Sequence, residues 1–350
     1  MNRLKSAALV LLAVVVTTSM VLIPNYRAAA QGSAALSIAP RKDYTIEPGK
    51  TITDTLLVRN QDKERPLNLS LRVVDFTYND DSGAPKLMLD EDAAPTQESL
   101  RSFISIPEAV TIEPGGSQSI EMTVAIPEGQ GGGSYYSAIV YSSGSSEGGN
   151  VGLSASGVSL VFVEVPGEGS QVLTLKQLGA YKETSSQTGG QYARFHSDAP
   201  KRVAYTLKNE GNLTGRPYGT ITIKSLFGQE VVINDINPSN SLALNNQERT
   251  FSACIKLKNQ ETDFNGSRAE ATTCTDAGLW PGFYSVDMTA YYGRNGSPTK
   301  DLVGHSWFIY MPWWAIVILV LVLAFIGYHI WKIVRHIRSK STKTKLKKRK

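Results

Sequence analysis

Few residues in this sequence have both the type and the spacing to do chemistry. Gly144-Ser145-Ser146-Glu147-Gly148 matches G-x-S-x-G, a pattern that exposes a nucleophilic serine where a strand turns sharply into a helix. Here a Ser/Gly run follows instead of a helical pattern, and the only histidines available between residues 31 and 310 are His196 and His305. A surface hydrolase built on Ser146 is therefore the weaker reading, and no catalytic residue is assigned. Asp80, Asp81, Asp90, Glu91 and Asp92 form an acidic stretch. Asn79-Asp80-Asp81-Ser82-Gly83 lacks the alternating acids and the closing Glu of a calcium loop. It reads as a solvated loop, with calcium as the alternative. Neither H-E-x-x-H nor C-x-x-C occurs, so no metal site and no cofactor is assigned. The sequence has 2 cysteines, which excludes a four-cysteine zinc site or a disulfide-dense mini-domain. Cys254 and Cys274 lie in one half of a chain that reads as exported, separated by mostly polar residues, and are expected to form a disulfide; two free thiols are the alternative.

The elements that would carry these residues are strands. Leu67, Leu69, Leu71 and Val73 alternate with polar residues, as do Ile120, Met122, Val124 and Ile126 for most of their run, and Tyr284, Val286, Met288 and Ala290. A period of two puts apolar side chains on one face of a strand. Pro48-Gly49, Pro114-Gly115, Asn237-Pro238 and Pro281-Gly282 punctuate the runs as turns. The pattern predicts an all-β fold of two immunoglobulin-like β-sandwiches, residues 31–167 and 168–310, meeting near Pro166. One short helix is expected near Pro95 to Phe103. Thr45-Ile-Glu-Pro-Gly recurs as Thr111-Ile-Glu-Pro-Gly, and each copy reads as a turn entering a half-buried strand.

Both ends point to a membrane. Residues 1–30 read as a signal peptide, with Arg3 and Lys5 ahead of an apolar stretch and Ala28-Ala29-Ala30 as the exit. Residues 311–331 contain no Asp, Glu, Lys or Arg and predict a single transmembrane helix, with Trp313, Trp314, Tyr328 and Trp331 at the two membrane interfaces. Residues 332–350 form a basic tail, which the positive-inside rule places in the cytoplasm. The two ends together hold 13 of the 36 Lys+Arg and none of the 31 Asp+Glu. The formal net charge of +5 is thus a membrane-topology signal, the part between the ends is acidic, and no nucleic-acid partner is expected.

Leu36-Ser37-Ile38-Ala39-Pro40, Glu47-Pro48-Gly49, Val58-Arg59-Asn60, Ile112-Glu113-Pro114-Gly115, Val124-Ala125-Ile126-Pro127 and the run from Gly133 to Val140 resemble the WxL-interacting protein family of bacterial cell surfaces. The resemblance in motifs covers Leu36 to Tyr141, and the resemblance in segment order covers nearly the whole chain. It implies a non-enzymatic surface protein whose partner is cell-wall peptidoglycan or another surface protein. An accessory subunit of a membrane complex is the alternative. Cys254 and Cys274 depart from that family's second domain, and no ligand residue is carried over.

Overall fold

The structure, a computed structural model, describes residues 36–78, 83–90, 92–143, 155–183, 190–264, 267–293 and 299–347. The expected signal peptide, Ser146, Asp80, Asp81 and Glu91 lie outside the described residues.

The first sandwich contains Leu36–Ile38 (β1), Arg41–Thr45 (β2), Thr51–Asn60 (β3), Leu67–Tyr78 (β4), Pro85–Met88 (β5), Ile104–Ser105 (β6), Ala109–Ile112 (β7), Ser117–Ala125 (β8), Gly133–Ser143 (β9) and Ala155–Val165 (β10). One sheet runs β1-β3-β8-β6, and the other runs β2-β10-β9-β4-β5 with β7 also on β4. On β8 the alternation acts as expected: Ile120, Met122 and Val124 are buried between polar neighbours. β9 behaves differently, because Ile139 and Tyr141 face the sandwich core while Tyr136 and Ala138 face a second apolar cluster. Both of its faces are covered, so it is buried almost throughout. Each copy of the Ile-Glu-Pro-Gly repeat forms the same turn. Lys50 N donates to Glu47 O and Gly116 N to Glu113 O, with Gly49 at φ 76° and Gly115 at φ 67°, the left-handed conformation glycine tolerates at that position.

The second sandwich contains Leu173–Glu183 (β11), Gly190–Tyr192 (β12), Phe195–His196 (β13), Arg202–Asn209 (β14), Tyr218–Ser225 (β15), Glu230–Ile233 (β16), Glu248–Cys254 (β17), Gly282–Tyr292 and Lys300–Tyr310, with the hairpin Leu257–Phe264 (β18) and Ser267–Cys274 (β19) inserted before the last two, which are β20 and β21. Its sheets run β12-β11-β14-β17 and β13-β21-β20-β15-β16, while β18 and β19 form a separate two-stranded sheet. Stacked rings fill the core, Tyr205 on Phe251 at 5.1 Å and Tyr284 on Phe308 at 5.0 Å between centroids.

Two residues after β21 the chain enters one long helix, Trp313–Lys347 (α1). Pro312 cannot donate a backbone hydrogen bond but accepts, and its carbonyl takes the first helical bonds from Ala315 and Ile316. Residues Trp313–Arg335 have a mean hydropathy of 2.3 over their most apolar window, none of which is buried among the described residues, a stretch long and apolar enough to cross a membrane. The helix does not stop at Trp331 but continues to Lys347, since Lys and Arg are good helix formers.

The stretch from Pro95 to Phe103 is a series of turns instead of a helix. Its polar groups find partners in the neighbouring strands. The buried Asp75 carboxylate accepts from Thr96 N at 3.1 Å and Ser99 Oγ at 2.7 Å, and Glu98 O accepts from Tyr136 N. Bonds made sideways to a sheet replace the bonds along the chain that a helix requires.

Candidate functional site

The sandwiches face each other across a cleft of about 750 Å³ lined by residues of β2, β9 and β10 from one side and by Gln171, Thr214, Arg216 and Leu242 from the other. Its charged rim is built on Asp43. Arg41 Nε and Nη2 approach the two oxygens of this carboxylate at 2.8 Å each, and Arg216 Nη2 of the second sandwich reaches Oδ1 at 2.7 Å. Arg41 also donates to Asn240 O at 3.0 Å and lies over the Phe162 ring at 5.0 Å. Two guanidinium groups thus share one carboxylate at the junction, and Glu164 lines the same cleft. Behind it, Tyr44 Oη donates to Asp54 Oδ2 at 2.6 Å and Lys42 Nζ donates to the same oxygen at 2.8 Å. The Lys42 ammonium, then the Tyr44 hydroxyl and the Thr55 amide, hold the Asp54 carboxyl down to about 2. Burial, with Asp54 beside it, raises Tyr44 well above its ordinary value; its ring turns away from Asp43 and packs on the core of the first sandwich.

Below the rim the domains are locked together. Val74, Phe76, Tyr136, Ala138 and Phe162 of the first sandwich pack with Leu242 and Leu244 of the second, and the three rings lie 5.2 to 6.0 Å apart. Tyr78 Oη donates to Leu242 O at 2.7 Å, while Arg249 Nη1 donates to both Tyr78 Oη and Leu242 O. Ser134 is bound on three sides: its N donates to Asn212 O, its Oγ accepts from Thr214 N, and its O accepts from Asn245 Nδ2. An interface with a buried apolar centre and a ring of hydrogen bonds fixes the angle between the domains.

Two buried asparagines, one per sandwich, hold corresponding corners. Asn60 Nδ2 donates to Arg65 O and Ile112 O, and Asn209 Nδ2 to Leu213 O and Ala243 O; each Oδ1 accepts from the backbone two residues on. Val58-Arg59-Asn60 and Leu207-Lys208-Asn209 share an apolar-basic-Asn ending, which was the available signal. Nothing in the sequence links residues 41 and 43 to 216, or 78 to 249, because the cleft is assembled from positions some 170 residues apart.

The residues singled out from the sequence lie elsewhere. Cys254 and Cys274 are joined in a disulfide with Cα atoms 5.1 Å apart, at the stem of the β18–β19 hairpin. His196 is buried, its Nε2 2.9 Å from Ala193 O and its ring edge-on to Phe308; burial lowers its pKa, and it serves packing. His305 pairs with Asp287 on the exposed face of the sheet, and Ser285 Oγ donates to the other Asp287 oxygen at 3.3 Å. There the carboxylate sits between Ser and His, whereas a nucleophilic triad needs the imidazole between them. Asp90 and Asp92 make a local turn, and no group of three metal-binding side chains occurs among the described residues. Trp313, Trp314, Tyr328 and Trp331 all project exposed from α1, with the Arg335 guanidinium 5.3 Å from the Trp331 ring.

No family model matches this chain, and no curated protein matches it. Among solved structures it is similar to the class 5 fimbriae chaperone CfaA, at 11% identity and a TM-score of 0.32 over 78% of this chain and 99% of that chain. It is similar to the Escherichia coli chaperone DraB at 14% identity and a TM-score of 0.32, covering 77% and 98%. A chain of the Salmonella enterica complex of SafA pilin with the SafB chaperone aligns at 8% identity and a TM-score of 0.34, covering 79% and 97%. At these values the reading of the site rests on its own residues.

Proposed function

We propose that this chain is a membrane-anchored surface protein, non-enzymatic, that holds a rigid pair of β-sandwiches outside the membrane to bind cell-wall glycan or another surface protein. The observation that carries the reading is continuity: a locked two-domain body runs through β21 into a helix long and apolar enough to span a bilayer, with two residues between them. On this reading Trp313 and Trp314 sit at the outer interface, Tyr328 and Trp331 at the inner one, and the basic tail in the cytoplasm. The nineteen residues from Trp313 to Trp331 rise about 27 Å, near the thickness of a bilayer core. The WxL-interacting family resemblance belongs to this proposal, as does the choice of peptidoglycan as ligand.

The binding locus in this reading is the cleft. Asp43, Glu164 and Arg216 present charge, and Gln171 and Thr214 present neutral polar groups. Charged and neutral polar groups fixed side by side in a cleft suit an extended polar chain such as a glycan or its peptide stem. The test is sedimentation of the full-length protein, in detergent, with purified peptidoglycan. Co-sedimentation that drops on Gln171→Ala and Arg216→Ala supports the reading. Protein that stays wholly in the supernatant overturns the wall-binding version.

A further inference from the structure

The far end of the second sandwich carries an apolar surface that the binding reading does not use. Three large side chains stand out there: Leu226 is 75% exposed, Phe227 82% and Trp280 73%. Leu226 and Phe227 form the tip between β15 and β16, turned by Gly228 at φ 86°. Trp280 is in the loop that leads into β20. The register fixes which end this is. Gly282 opens β20 and pairs with Tyr310, the last residue of β21; Ser225 pairs with Tyr284; and Leu226 N donates to Phe283 O. The Phe227 ring lies over Gly282. Tyr310 is three residues from Trp313, a span of at most about 10 Å. The exposed tips therefore flank the entry of α1.

Their underside is built, not loose. The Gln229 side chain donates to Gly278 O at 3.1 Å and accepts from Trp280 N at 3.1 Å and Tyr284 Oη at 2.9 Å. One amide thus ties the two tips together and leaves only their apolar ends facing outward. Beside them, on the outer face of the same sheet, Phe195 and Phe283 pack against Trp307, and the Arg194 guanidinium lies 4.8 Å from that ring. Exposed aromatics with an adjacent cation are the chemistry of a membrane–water interface.

We propose that the second sandwich rests on the lipid surface, with Leu226, Phe227 and Trp280 inserted into the headgroup region around the emerging helix. This rests on the anchoring reading above, because the short tether places these tips at headgroup depth. The occupant is lipid, since the two-residue connection leaves the surface facing the bilayer from which it hangs.

The test uses the full-length protein in phosphatidylcholine vesicles with a spin label at one position at a time: Phe227→Cys, Val303→Cys further along the outward face of the same sheet, and Val320→Cys within α1. Both native cysteines are paired, so each variant offers one thiol. Collision rates with oxygen and with a water-soluble nickel chelate report depth. The expected result is that the ratio at 227 favours oxygen, as at 320, and is inverted at 303. An aqueous ratio at 227 with an apolar one at 320 overturns the lipid contact and leaves the anchor standing, and it points to a protein partner over the tips. Aqueous ratios at both 227 and 320 overturn the anchor and the lipid contact together.

Discussion

The interdomain lock can be tested at the hydrogen bond between Arg249 and Tyr78. Arg249→Met keeps the length and most of the apolar stem but deletes the guanidinium, which bonds Tyr78 Oη and Leu242 O and stacks over the Tyr78 ring at 4.8 Å and the Phe251 ring at 5.3 Å. Charge-assisted hydrogen bonds contribute about 1.5–3 kcal/mol each when buried. These groups are half-buried, and Leu242 O keeps its bond from Tyr78, so the variant is expected to lose about 2–3 kcal/mol. Tyr78→Phe removes one neutral hydroxyl while Arg249 still serves Leu242 O, a loss of about 1 kcal/mol. The shared bond disappears in either single variant, so the double variant should cost less than the sum by about 1 kcal/mol. Urea unfolding of the four full-length proteins in one detergent, followed by near-ultraviolet circular dichroism, gives the cycle. Additivity within about 0.3–0.5 kcal/mol would refute coupling across the interface.

Replacing Cys254 and Cys274 by Ser opens a loop whose ends are 20 residues apart, which loop-closure entropy values at about 3 kcal/mol. A two-stranded ribbon is marginal alone, so limited proteolysis should cut the variant first within β18–β19; cleavage patterns unchanged from the wild type would count against the staple. The Asp54 carboxyl titrates near 2 when folded, below its ordinary value of 3.8. Its contribution is therefore complete above about pH 4 and fades as pH falls towards 2. Because the side chain is 34% exposed, solvent screening leaves about 1 kcal/mol. Asp54→Asn should be less stable than wild type by that amount at pH 6 and equal to it near pH 2, as read from urea midpoints; a constant gap would show that the carboxylate charge is not the source.

The strands were legible because one-sided burial writes a period of two into the sequence, as in Ile120, Met122 and Val124. Where that premise fails the pattern fails with it: Tyr136 and Ala138 alternate with Ser137 and Ile139, and all four are buried because the second domain covers the outer face. The turns were legible from Pro-Gly pairs, whose conformational demands are local. The Pro95–Phe103 helix was misread because its competitor, Asp75, sits some 20 residues earlier and on another strand. The cleft was illegible for the same reason on a larger scale. Arg41, Asp43 and Arg216 are ordinary surface types, and only the fold puts the third beside the first two.

The two ends of the second sandwich have opposite characters, and the strand directions relate them to the membrane. β20 and β21 are each 11 residues long, about 36 Å of extended chain. One end of this pair meets α1, and the first sandwich docks at the opposite end of the domain, where β10 passes through Gln171 into β11. On the proposed topology the cleft stands roughly one strand length above the bilayer. The buried interface removes hinge freedom on one side, and the two-residue tether removes it on the other. If the proposed anchoring and binding hold, a rigid spacer of this kind presents the cleft at a fixed height, which selects partners in the layer next to the membrane and against those farther out.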